Sequence, residues 1–154
     1  MFLLHISIFS RLPLLNGSPD LLLLSIAAWS LNEKVRFGFI WAMMCGIIMG
    51  VVSAIPVYVP IIGYGFTFII CKFLTKRIWQ APILAMLGTV FIGSLGMGFL
   101  SFLVLQISGS LLPLMDSVNL IIMPSTLYNV ILSIPVFLII RDFSQWVYPV
   151  EFEL

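Results

Sequence analysis

From Pro82 to Ile107 the chain runs for 26 residues without a charged side chain, and a helix of that length reaches about 39 Å at ~1.5 Å per residue. A bilayer's hydrocarbon core is only ~30 Å thick, so ~20 apolar residues suffice to cross it and this run must tilt. The rest of the 154 residues is similar, being 62% hydrophobic and 8% charged, where soluble domains run near ~45–50% and ~25%. That balance excludes a water-soluble monomer. The apolar runs are unbroken and lack the alternating ~10-residue pattern of an outer-membrane barrel, so the spanning units are predicted to be helices. The expectation is an all-α, polytopic transmembrane helix bundle forming one integral membrane domain over residues 1–154.

Charge, Pro and Gly divide the sequence into six apolar segments. Segment A, Met1–Leu12, is too short to span. Its first nine residues have neither a basic region ahead nor a small-residue cleavage site behind, so it is not read as a signal peptide. The turn residues Asn16-Gly17-Ser18 lead into Pro19 and Asp20, which open segment B (Asp20–Leu31) with a fixed φ and a capping carboxylate. Segment C runs from Phe37 to about Ile55, D from Ile61 to Leu74, E from Pro82 to Ile107 and F from Leu120 to Ile140. B and D are short for spans. The predicted pattern is five spans plus a truncated first helix.

The basic residues fix an orientation through the positive-inside rule. Lys34 and Arg36 lie between B and C, Lys72 at the end of D with Lys76 and Arg77 in the loop to E, and Arg141 after F, whereas the alternate loops hold only Arg11. Trp29, Trp41, Trp79 and Trp146 cluster near the basic loops, where an interfacial aromatic belt would lie. Both termini are therefore expected in the cytoplasm. A net charge of +1 with no basic block argues against nucleic acid as a partner.

Little in the sequence suggests catalysis. Asp20, Glu33, Asp116, Asp142, Glu151 and Glu153 all fall at segment ends or in loops, away from the mid-membrane positions where an ionisable group usually marks function. His5 has no second ligand nearby, and Cys45 and Cys71 sit in apolar runs as small hydrophobes. No catalytic residue, cofactor or metal ligand is assigned. Small residues at helical spacing stand out instead. Ala42, Gly46, Gly50 and Ala54 recur every four residues along C, with similar stripes at Gly63, Thr67 and Cys71 on D and at Ala85, Thr89, Gly93 and Gly96 on E. In lipid, helices associate largely through close packing, which small residues permit. The stripes therefore mark helix contacts, either within the bundle or with a partner helix on C. Segment F carries Ser125, Asn129 and Ser133 at the same spacing between Pro124 and Pro135, a polar stripe suited to interhelical hydrogen bonds.

These features together resemble the rod shape-determining MreD family of bacterial membrane proteins. The resemblance rests on Pro19-Asp20-Leu21 after a Gly-containing turn, the Gly46 and Gly50 helix, Gly63-Tyr64, the Lys76-Arg77 loop, and Pro124, Asn129 and Arg141. It implies a six-helix fold in the bacterial plasma membrane and a non-enzymatic scaffold of the peptidoglycan elongation machinery that determines cell shape. The implied partners are an MreC-like bitopic protein, the MreB cytoskeleton, RodA and a transpeptidase, with no small-molecule substrate. Two departures are visible. Ala54 stands where the family commonly has an acidic residue, and segment A is shorter than the family's first span, so further apolar residues are expected upstream. The family is also similar in fold to the substrate-capture subunits of energy-coupling-factor vitamin transporters. That alternative function requires a polar pocket, and Ser108–Asn119 offers mainly Leu111, Leu112, Leu114 and Met115.

Overall fold

A computed structural model describes residues 19–31, 37–77, 80–110 and 113–147. Segment A, the turn at Asn16–Ser18, Glu33, Lys34, Arg36, Trp79, Glu151 and Glu153 lie outside the described residues. Within them the regular structure is all helical, joined by short turns: α1 (Leu21–Ser30), α2 (Gly38–Val52), α3 (Tyr58–Arg77), α4 (Pro82–Ile107) and α5 (Leu114–Val147). Three of these, α3, α4 and α5, are long and apolar enough to cross a membrane.

Segment E becomes α4 with the predicted bounds, Pro82 starting the helix where a missing N–H costs nothing. Segment D comes out longer than expected. Pro60 lies in the first turn of α3 and does not interrupt it, while Lys76 and Arg77 sit in the last turn, where cations favour the helix dipole. Twenty residues then suffice to span. Segment F also lengthens, to 34 residues. Its start moves back to Leu114 because a π-helical turn, Val118–Ile122, carries the chain into Pro124. That change of hydrogen-bond register meets the proline that could not have donated to the α-helical ladder.

The short α1 is the hub. It packs against α2, α3, α4 and α5, and Leu21–Leu24, Ile26, Ala27 and Ala28 are all buried. A helix apolar on every side belongs in the interior. Around it the other helices turn large apolar side chains outward, among them Phe39, Ile47, Phe73, Phe91, Leu103 and Ile139, a surface that lipid would solvate and water would not.

Candidate functional site

Asp20 caps α1: its Oδ1 accepts the Leu23 backbone N–H at 3.0 Å, satisfying one of the donors a helix start leaves open. The same carboxylate accepts the Tyr64 hydroxyl from α3, at 2.9 Å to Oδ2 and 3.0 Å to Oδ1. The Asp20 backbone N–H donates to Asn129 Oδ1 on α5 at 2.7 Å, and Asn129 Nδ2 donates to Ser94 Oγ on α4 at 2.8 Å. One connected network thus joins four helices. Tyr64 is fully buried, Asn129 is 3% exposed and Ser94 is 6% exposed, so each polar group has traded water for a specific partner.

The depth of this network is its main chemical feature. Ser94 stands half-way along α4 and Asn129 near the middle of α5. Asp20 lies nine residues before Trp29 and Tyr64 thirteen before Arg77, or about 14 and 20 Å along their helices at ~1.5 Å per residue. Asp20 is at a segment end, as the sequence indicates, but its helix is only ten residues long. The end of a half-length helix falls in the interior of the bundle. Asp20 thus meets the bodies of the longer helices and not their ends, which its place at a segment end does not reveal, and the reason is the length of α1.

Beside the network lies a cavity of about 260 Å³ whose wall includes Asp20, Ser94, Ser101, Ser117, Ser125 and Asn129. Met97, Phe102, Ile121 and Ile122 supply apolar surface to the same space. The composition of the loop between E and F does not reveal this lining. Its hydroxyls come from the bodies of α4 and α5, and Ser117 and Ser125 share a wall because they stand eight residues apart across the π-helical turn.

The small stripes are used inside the bundle. Ala42, Gly46 and Gly50 are buried, and a Cβ at Gly46 would stand 2.7 Å from Ile61 Cα, one at Gly50 2.8 Å from Val57 Cα. These contacts set α2 against α3 and the turn before it. Ala54 is elsewhere: α2 ends at Val52, and Ala54 is exposed in the following turn, so it does not continue the stripe. On the next interface a Cβ at Gly93 of α4 would lie 2.8 Å from Thr67 Oγ1 of α3. Pro19 is buried immediately before the cap. Comparison with protein-family models, curated proteins and solved structures finds no match to this chain.

Proposed function

We propose that this protein is a non-enzymatic integral membrane scaffold of the MreD kind, holding an MreC-like bitopic partner in the cell-wall elongation machinery. The observation that carries the reading is the 2.7 Å hydrogen bond from Asp20 to Asn129 across 109 residues of sequence. The two motifs at opposite ends of the resemblance, one opening α1 and one within the last helix, act as a single structural lock. Ala42, Gly46 and Gly50 are likewise spent on internal packing, so the surface left for a partner helix is the apolar outer face of α2, including Phe39, Met44, Ile47 and Val51. Association there would rest on van der Waals packing in lipid.

The proposed topology puts the six basic residues inside, α1 rising from the cytoplasmic boundary to mid-membrane, and both termini in the cytoplasm. Cysteines placed at Lys76 and at the exposed Asp116, in a background without Cys45 and Cys71, test it. Only the one at 116 should react with an impermeant thiol reagent in intact cells, and labelling at 76 would reverse the orientation. The function itself is tested by depletion in a rod-shaped host and mild-detergent purification. Rounded cells and recovery of an MreC-like protein are expected; normal rods with no such partner would refute the scaffold.

The cavity beside Asp20 favours a second reading, a substrate-capture subunit of an energy-coupling-factor vitamin transporter, because an interior carboxylate and convergent hydroxyls are what a small-molecule site requires. A vitamin requirement on depletion, with a vitamin-sized mass retained in native mass spectrometry, would favour it over the scaffold.

A further inference from the structure

Four hydroxyl groups, one amide and one carboxylate meet an apolar wall in the cavity between α4 and α5, and their hydrogen-bonding capacity is only partly used. Ser117 is 6% exposed, and no side-chain hydrogen bond is formed by its hydroxyl among the described residues. Ser125, half-buried on the same wall, is in the same position. Asn129 spends one of its two amide protons on Ser94, and the Ser94 hydroxyl, having accepted that bond, still has its own proton to give. The Ser117 and Ser125 hydroxyls open onto the cavity, where water or a ligand can take up the donors the protein leaves spare. About 260 Å³ is room for a cluster of waters, or for a compact organic molecule.

Charge narrows what would enter. Among the described residues no Lys or Arg lines the cavity, and the Asp20 carboxylate does, so an anion would be desolvated against a negative wall. The carboxylate is in turn engaged by the Leu23 N–H and the Tyr64 hydroxyl, so it does not call for a cation. Met97, Phe102, Ile121 and Ile122 offer the apolar body of a ligand its contact surface.

We propose that the cavity walled by Ser94, Ser117, Ser125 and Asn129 is a binding site for a small uncharged molecule with a carbonyl or amide at one end and an aromatic or aliphatic body. The donors of Asn129, Ser94 and Ser117 face the carbonyl oxygen, and the α4 and π-turn side chains cover the body. The site rests on the cavity and holds whether the protein is a scaffold or a capture subunit.

Benzamide and benzoate, nearly equal in size and opposite in this one property, are the probes. Titrated against the full chain in lipid nanodiscs and followed by saturation-transfer NMR, benzamide is expected to bind saturably and at least about tenfold more tightly than benzoate. Ser117→Leu and, separately, Ser125→Leu fill the cavity and should each weaken benzamide about tenfold or more, with helical content unchanged by circular dichroism. Using both variants guards against one failing to fold. Equal binding of the two probes, no saturable binding of either, or benzamide binding unaltered in a folded filling variant would each overturn the site. Benzamide binding in a protein whose depletion creates no vitamin requirement would keep the site and remove the transporter reading.

Discussion

The α2–α3 interface and the α1–α5 junction are built from opposite materials. Between α2 and α3 the backbones close on each other over Ala42, Gly46 and Gly50, and no side-chain hydrogen bond joins the two helices among the described residues. Between α1 and α5 a backbone N–H and a side-chain amide meet at 2.7 Å, and the amide passes the connection on to α4. The first interface has no slack for added volume, whereas the second has no slack for lost polarity. In lipid, where hydrophobic transfer does not drive helices together, both devices are needed: one sets distance and the other sets register.

The comparison breaks most visibly at the glycines. Gly46→Leu puts side-chain atoms where Ile61 backbone already stands, so relief requires moving a helix. The cost should reach or exceed the ~1–3 kcal/mol typical of overpacked cores, read as loss of folded protein in a denaturation series in bicelles, with Gly50→Leu behaving alike. If both variants keep wild-type stability, α2 and α3 do not meet at these glycines. Next in size is Asn129→Leu, which leaves the Asp20 N–H without its acceptor and should cost about 1–3 kcal/mol. An unchanged midpoint would mean the junction is held by apolar contact alone. Tyr64→Phe removes only the hydroxyl donated to Asp20 and should cost about 0.6 kcal/mol and no more than ~1.7, the average and the maximum for hydrogen bonds inside membranes. A double-mutant cycle with Asp20→Ala, which removes both acceptor oxygens, should show coupling of that order, and strict additivity would contradict the contact. Smallest of all is Ile47→Leu on the exposed face of α2, expected within ±0.5 kcal/mol, unlike its neighbour Gly46.

How legible these two regions are in the sequence differs for a physical reason. Small residues four apart announce a packing face because the spacing is local and the helix repeats every ~3.6 residues. Gly46 and Gly50 could therefore be found without coordinates, although Ala54 continues the spacing and not the helix. The bounds of α4 were equally readable from an uncharged run opened by a proline. The polar junction was visible only in pieces. Asp20 as a cap and Asn129 as a buried amide follow from local chemistry, but their meeting depends on how a ten-residue helix is seated among longer ones. No periodicity encodes that depth. Ser94 was hidden for the same reason: it follows Gly93 in sequence but lies about 100° round the helix from it, off the small-residue stripe, and nothing local says what it meets. The π-helical turn, which brings Ser117 to the cavity wall, leaves only Pro124 as its trace.

The central claim is that the residue opening α1 and the amide in the middle of α5 are neighbours inside a single chain. Asp20→Cys with Asn129→Cys, in a background lacking Cys45 and Cys71 and carrying a protease site at Gly109, tests it directly. After oxidation in native membranes and cleavage at that site, the account predicts that the two halves stay together on a non-reducing gel and separate on reduction. Neither single-cysteine variant should hold them. Fragments that part despite oxidation of the double variant, or that are linked only between two copies of the chain, would contradict it.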